Sequence, residues 1–226
     1  KPWKGLSWAK FELVETSPGK TQVSWALDSS LPFFMFFFKN MMMAYMGNDF
    51  DRGLRMLKDL CETGQVLAKS EYKGEQAYGK FWVVGKKTSC AISEISTRIK
   101  SDFMAIENLL KQQKLSSPEG MITVSHVHDI PKGVCTFTAG LMYKTNEGIL
   151  IPAGYEIFKV DSHKGLAVDH YGPYRHIGNA WSMAVSYQRG LKKKISKTPP
   201  AYEIYKNIPG QVAEKDLYTQ ITMPIK

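Results

Sequence analysis

A lone carboxylate stands in the middle of an aromatic strand near the C-terminus, in the segment AYEIY at residues 201–205. Because side chains alternate along a strand, Glu203 and Tyr205 share one face while Tyr202 and Ile204 share the other. A buried carboxylate needs a hydrogen-bond donor or a cation, since burial without a partner is costly and raises the pKa. Glu203 is therefore a candidate for recognition or acid–base chemistry in a groove, or else an exposed residue on the outer face.

Two tyrosines belong to a second segment of interest, VDHYGPY at residues 168–174. A strand that runs into Gly-Pro and a helix places Tyr171 and Tyr174 at the strand end, where side chains border a cleft or simply pack. His170 and Asp169 have the composition of a catalytic pair. Neighbours in a strand point to opposite faces, however, so they cannot form a His–Asp relay with each other.

Other signals for catalysis or metal binding are weak. His126 and His128 are two residues apart on a predicted strand, a spacing that metals use, but no third ligand lies nearby in the sequence. The chain contains no GxSxG, P-loop or GxGxxG motif. We therefore predict no metal and no cofactor.

The elements that must position these residues occur twice, in the order strand, helix, strand, strand. Apolar spacings of three and four predict two helices, whose inner faces carry Ile92, Ile95, Ile99, Phe103, Ile106 and Leu110 in the first and Ile177, Trp181, Ala184 and Leu191 in the second. Proline at a first helical position favours a helix start at Gly172-Pro173. Alternating or apolar segments predict the strands, at residues 81–85, 121–127, 134–142, 165–171, 201–206 and 217–225.

The two halves align with each other, so that Ile99 and Phe103 superpose on Ile177 and Trp181. This predicts an α+β fold of duplicated β-α-β-β units with an antiparallel sheet and pseudo-two-fold symmetry. Two such units leave a seam between them, and small-molecule clefts tend to form at seams of this kind.

The N-terminal part follows a different pattern. Two alternating segments around the turn Ser17-Pro18-Gly19-Lys20 predict a β-hairpin. Apolar spacings then predict a long helix that ends near Gly64. We therefore divide the chain into an N-terminal domain at residues 1–66, a polar linker at 67–79 and a C-terminal domain at 80–226.

Composition limits the partners and the compartment. The formal net charge of +9 favours anionic partners, but the lysines are scattered and no DNA-binding motif accompanies them, which argues against direct nucleic-acid binding. Three cysteines without a CxxC pair or a signal sequence indicate a reducing, cytoplasmic setting. The most apolar stretch, residues 31–46, is shorter than the ~20 residues of a spanning helix, so we predict no membrane anchor.

Three sequence strings resemble those of the GyrI-like effector-binding domain, which also serves as the ligand domain of multidrug-sensing and AraC-type regulators. They are HYGPY at residues 170–174, AYEIYKNIP at 201–209 and LYTQITMPI at 217–225. The resemblance covers about residues 80–225 and implies a groove for hydrophobic or cationic molecules, with a glutamate at its bottom and aromatic walls. The candidate ligand-binding residues are Glu203, Tyr205, Tyr218, Tyr171, Tyr174 and Trp181.

The N-terminal part is similar to the C-terminal end of a START-like helix-grip (polyketide-cyclase-like) domain. The similarity rests on the hairpin and on the helical string FDRGLRMLKDLCE at residues 50–62. A complete domain of that type has further strands and an N-terminal portion.

The resemblance leaves several functions open. The first is a sensor or sequestering module for small hydrophobic or cationic molecules. The second is a hydrolase of reactive electrophiles, with Glu203 as general base and Tyr218 or Tyr171 assisting. The third is a gyrase-inhibitor-like interaction with a protein partner, or a role as the ligand domain of a transcription regulator. The chain could also associate with itself as a homo-oligomer.

Overall fold

The computed structural model describes residues 6–111 and 117–226, and the chain forms two compact units at residues 1–66 and 67–226. The first unit is an antiparallel hairpin followed by a long helix, as predicted. Its elements are β1 (Ser7–Ser17), β2 (Lys20–Ser29), a 3₁₀ helix (Phe33–Phe38) and α1 (Lys39–Thr63).

Two glycines with left-handed backbone conformation set the hairpin turn and the helix end. Gly19 has φ of 76° in the turn between β1 and β2. Gly64 has φ of 79° and its N–H donates a 3.0 Å hydrogen bond to the Leu60 carbonyl. Glycine adopts these angles without a steric penalty, so both breaks were readable from the sequence.

An aromatic stack joins the hairpin to α1. The Trp25 ring lies between Phe11, at 5.1 Å between centroids, and Phe50, at 4.3 Å. A Cβ atom on Gly53 would lie 2.6 Å from the Trp25 ring, so the glycine allows the helix to approach. Even so, none of the apolar side chains of residues 6–66 is fully buried within the described structure.

The second unit is an eight-stranded antiparallel sheet with two helices. The strands lie in the order β3-β8-β10-β9-β5-β6-β4-β7. The elements are β3 (Lys69–Tyr78), β4 (Phe81–Ala91), α2 (Ile95–Lys111), β5 (Gly120–Asp129), β6 (Val134–Tyr143), β7 (Glu156–Val160), β8 (His163–Tyr171), α3 (Ile177–Gly190), β9 (Tyr202–Tyr205) and β10 (Tyr218–Ile225).

The strand order confirms the duplication. β5 and β9 lie side by side at the centre, with β6 and β4 outward on one side and β10 and β8 outward on the other. Each repeat therefore places its third strand between its second and its first. Helix α2 packs on β4 and β6, and α3 packs on β8, β3 and β10. None of the helices within residues 6–111 and 117–226 has the length and apolar character needed to cross a bilayer.

Two edge strands extend the duplicated core. Residues 69–78 form β3, which pairs with β8, so the prediction of a linker at 67–79 was wrong. Its charged, glycine-containing sequence is typical of linkers, but a strand at a sheet edge tolerates charged side chains. Residues 156–160 form β7 on β4 at the opposite edge. The Lys80 N–H extends the pairing of β4 with β7 by donating to the Val160 carbonyl at 2.7 Å.

The sheet buries apolar side chains on both of its faces. On one face, α2 covers a cluster that includes Ile106 and Phe137, and α3 covers a cluster that includes Leu166 and Ile221. The opposite face carries a third cluster around Val83, Ile122, Tyr202 and Ile204. Helices α2 and α3 pack on strands to either side of the sheet centre, so the space between them lies above β5 and β9. We call this space the groove.

Removal of buried side-chain volume beneath α2 should destabilise the protein. Ile106 is fully buried, at 0% exposure, so we expect Ile106→Ala to lower the free energy of unfolding by about 2–5 kcal/mol. Met104 on the same helix is 57% exposed, and Met104→Ala should change stability by less than about 0.5 kcal/mol. Denaturant unfolding of both variants tests the packing, and equal losses would contradict it.

Candidate functional site

Strand β9 directs Glu203 into the groove. Glu203 lies in register between Thr123 of β5 and Ile221 of β10. Ile221 belongs to the cluster beneath α3, whereas Tyr202 and Ile204 belong to the cluster on the opposite face. The alternation predicted for β9 is therefore confirmed, and Glu203 and Tyr205 point towards the helices.

Two donors from different elements hold the carboxylate of Glu203. The indole N–H of Trp181, on α3, donates to Oε1 at 2.5 Å. The phenol of Tyr205 donates to Oε2 at 2.8 Å. Each carboxylate oxygen thus has its own donor, which fixes the orientation of the group. Charge-assisted hydrogen bonds of this kind are stronger than neutral ones.

Tyr205 connects Glu203 to the first repeat. Its hydroxyl lies 3.1 Å from the Thr123 hydroxyl on β5. Its ring meets Phe103 of α2 edge-on at 5.6 Å between centroids, and Tyr174 at 5.5 Å. Side chains from both repeats and from the start of α3 therefore surround one phenol.

Burial dominates the electrostatics of the site. It raises the pKa of Glu203, while the hydrogen bonds from Trp181 and Tyr205 act in the opposite direction. Among the described residues, no lysine, arginine or histidine contributes to this shift. Burial and the Glu203 carboxylate also raise the pKa of Tyr205 well above its usual value and that of Tyr174 to about 12. The site therefore contains an acidic group with neutral hydrogen-bond donors and no basic partner.

The structure brings together four of the six candidate residues: Glu203, Tyr205, Trp181 and Tyr174. Tyr218 lies beside Thr219, the register partner of Tyr205, so alternation sends Tyr218 to the opposite face of the sheet. The expected proximity of Tyr218 to Glu203 is therefore wrong.

Tyr171, like Tyr218, lies on the face of the sheet away from the groove. The two tyrosines are register partners, and their rings stack at 4.8 Å between centroids. Burial and the nearby Asp169 raise the pKa of Tyr218.

Sequence reasoning missed Thr123 and Phe103, which do reach the groove. Phe103 was visible as part of a helical stripe, whereas no signal distinguished Thr123.

His170 does not pair with Asp169, and His126 does not share a face with His128. His170 is buried and hydrogen-bonds the Pro173 carbonyl at 3.2 Å, while Asp169 accepts a hydrogen bond from Gln220 on the other face. A bulge at His126 breaks the strand alternation, so the expected shared face of His126 and His128 is lost. Within the described ranges, no three His, Cys, Asp or Glu side chains are arranged to hold a metal ion.

A cavity of about 560 Å³ adjoins the groove at the C-terminal end of α2. Its lining includes the apolar residues Leu110, Met121, Leu141, Tyr143 and Ile208, and the charged residues Glu107, Lys111 and Lys206. Tyr205 also lines it, whereas Glu203 does not. Tyr205 is therefore the residue that the cavity and the Glu203 site have in common, and the volume of the cavity is in the range of small-molecule pockets.

Because the pKa of Glu203 is raised in the folded protein, this residue should make the free energy of unfolding decrease as the pH rises. An acid with a higher pKa in the folded than in the unfolded protein binds more protons when folded at pH values between the two. Its stabilising contribution is complete below the ordinary pKa of 4.5 and is lost as the pH rises through the folded value. Glu203→Gln removes this titration. The unfolding free energy of the variant minus that of the wild type should therefore increase as the pH rises.

Denaturant unfolding over the acidic to neutral range measures this difference. Glu147 is exposed, and Glu147→Gln supplies the matched control, whose stability should follow that of the wild type. A constant offset between Glu203→Gln and the wild type across the range would contradict the raised pKa.

Comparison with known structures shows the fold to be shared. The structure is similar to that of EcmrR in a cryo-EM structure of an EcmrR–DNA complex, with 13% sequence identity, a TM-score of 0.57 and coverage of 86% of this chain and 72% of that chain. The C-terminal domain of EcmrR gives 13% identity, a TM-score of 0.55 and coverage of 71% and 98%. The structure of SAV2435 bound to tetraphenylphosphonium has 14% sequence identity and a TM-score of 0.50, and the match covers 70% of this chain and 93% of that chain.

The sequence comparison identifies the family. No match was found among curated proteins. Residues 79–226, which are more than half of the chain, match the model of the GyrI-like small molecule binding domain. The duplicated repeats and the groove between them are consistent with that description. The chain therefore belongs to the GyrI-like family of small-molecule-binding domains.

Proposed function

We propose that this protein reversibly binds small hydrophobic molecules, cations among them, in the groove between its two repeats. The observation that carries the proposal is the half-buried Glu203 carboxylate, which has two neutral donors and no basic partner among the described residues. A negative charge that is largely shielded from water and lacks a counter-ion attracts a cation that can itself lose its water shell.

Aromatic side chains around Glu203 support the cation preference. The rings of Phe103 and Tyr174 form T-shaped contacts with that of Tyr205, and the indole of Trp181 donates to the carboxylate. Aromatic faces attract cations by up to about 2 kcal/mol when water is excluded. A delocalised organic cation fits such a site better than a strongly hydrated metal ion, because it gives up less hydration on entry.

A protein that binds small molecules reversibly and does not convert them can serve as a sensor or as a sequestering module. The structural neighbours include an EcmrR–DNA complex and a SAV2435 complex with tetraphenylphosphonium. By analogy of fold, we propose that this domain serves as the ligand-binding part of a regulatory or sequestering protein in the cytoplasm. A homo-oligomer or a protein partner would transmit the ligand signal.

Hydrolysis of electrophilic small molecules is the second candidate function. Its support is the raised pKa of Glu203, because a general base works best when its pKa approaches the ambient pH. Tyr205 and Trp181 would then orient the base. Turnover of an electrophilic substrate that Glu203→Gln abolishes would favour this function, and binding without turnover would favour the first.

We further propose that residues 6–66 represent the C-terminal part of a helix-grip domain. The hairpin, the long helix and the stack of Phe11, Trp25 and Phe50 support this assignment. The partial exposure of every apolar side chain in this region also fits an incomplete core.

Binding of tetraphenylphosphonium should depend on Glu203. We expect Glu203→Gln to weaken the affinity for this cation by about tenfold or more, equivalent to roughly 1.4 kcal/mol. The affinity for triphenylphosphine oxide, a neutral molecule of similar shape, should change much less. Isothermal titration calorimetry of both compounds at one pH and ionic strength provides the measurement.

The opposite face of the sheet supplies the matched control. Tyr205→Phe removes the hydroxyl that donates to Glu203, whereas Tyr218→Phe removes a hydroxyl from the face away from the groove. Only Tyr205→Phe should alter cation affinity. Equal affinities in wild type and Glu203→Gln, or a larger effect of Tyr218→Phe, would refute the groove as the binding site.

A further inference from the structure

Two thiols face each other at the far end of the first repeat. Cys90 of β4 and Cys135 of β6 are register partners, and their sulfur atoms lie 3.6 Å apart. The pair belongs to the apolar cluster beneath α2, and the two hydrogen bonds to the Glu203 carboxylate come from Trp181 and Tyr205 and not from either thiol. The third cysteine, Cys61, lies exposed on α1.

The sulfur separation matches that of two ligands on one soft atom. A disulfide bond requires about 2.05 Å, which is far shorter than the observed distance. Two sulfur ligands with bonds of ~2.3 Å to one centre lie about 3.3 Å apart when the bonds are at right angles and about 3.8 Å apart at a tetrahedral angle, so the observed separation falls between these values. Cys90 and Cys135 are therefore spaced to bridge a thiophilic atom without a change of strand register.

The surroundings suit a chelating pair of thiols. Cys135 is buried and Cys90 is half-buried, so the pair can be reached from the Cys90 side. Burial and the Cys90 thiol raise the pKa of Cys135 to about 11. Reagents that need a free thiolate should therefore react slowly here, whereas a reagent that bonds both sulfurs gains from their proximity.

No third protein side chain among the described residues is in position to join the two thiols, and this restricts the kind of atom that the pair can bind. His128 is the register partner of Cys135 on the side away from Cys90. No set of three ligands within residues 6–111 and 117–226 is arranged for a metal ion, however. A centre that is satisfied by two sulfur atoms fits this pair better than zinc, which takes four ligands in structural sites.

We propose that Cys90 and Cys135 form a dithiol site for trivalent arsenic compounds, a class of soft, thiophilic ligand. With phenylarsine oxide, the arsenic atom forms one bond to each sulfur and loses its oxygen. The two thiol protons leave with that oxygen as water. Arsenic remains trivalent throughout, so the step requires no oxidant.

Intact-mass spectrometry of the folded protein with phenylarsine oxide tests the proposal. Cys61→Ser removes the exposed thiol and should retain a one-to-one adduct that has lost one water. Cys90→Val and Cys135→Val in the same background should each lose the adduct, because a single thiol cannot chelate. Valine keeps the strand preference and an apolar side chain at both positions.

Three controls keep the outcome decisive. Thermal unfolding establishes that each variant is folded, and unfolded Cys61→Ser protein establishes that the reagent is active. If one valine variant does not fold, peptide mapping of the bridged residues in the Cys61→Ser protein replaces it. Absence of an adduct in folded Cys61→Ser protein, or full retention of it in a folded valine variant, would overturn the proposal and leave cation binding at Glu203 unaffected.

Discussion

The carboxylate of Glu203 can be half-buried because donors from two separate elements reach its two oxygens. Trp181 approaches from α3 and Tyr205 from β9 itself, and Tyr205 is in turn supported by Thr123 on β5. The chain of hydrogen bonds crosses the junction of the two repeats. The groove and its acidic group therefore depend on the register of β5 with β9, since a slip by one residue would turn Glu203 to the other face.

The sheet separates two aromatic groups that are close in sequence. Tyr205 and Tyr174 border the groove, while Tyr171 and Tyr218 stack with each other on the opposite face. The helices cover only one face, so the side of the sheet on which an aromatic residue falls decides whether it can meet a ligand above Glu203. The adjoining cavity meets this arrangement at Tyr205, which is therefore the residue shared by the carboxylate and the open volume.

The paired strands of the first repeat create a different chemical environment from the same geometry. Cross-strand register brings Cys90 and Cys135 together, just as it brings Glu203 beside Thr123. The thiols lie among apolar side chains, whereas the carboxylate lies among hydrogen-bond donors. One duplicated fold thus places two thiols among apolar side chains in its first half and an acidic group among aromatic side chains at its centre. Cys135 and Tyr205, which donates to Glu203, both belong to the apolar cluster beneath α2.

The sequence by itself determined the repeated order of elements, the hairpin turn at Gly19, the helix end at Gly64 and the fact that Glu203 and Tyr205 share one face of β9. These features depend on local periodicity and on glycine conformations, which a chain expresses without distant partners. Only the tertiary structure decided that residues 69–78 form an edge strand, that Tyr218 lies away from Glu203 and that Thr123 and Phe103 reach Tyr205. Those outcomes depend on which strands pair and in what register, and non-local pairing leaves no periodic signal in the sequence.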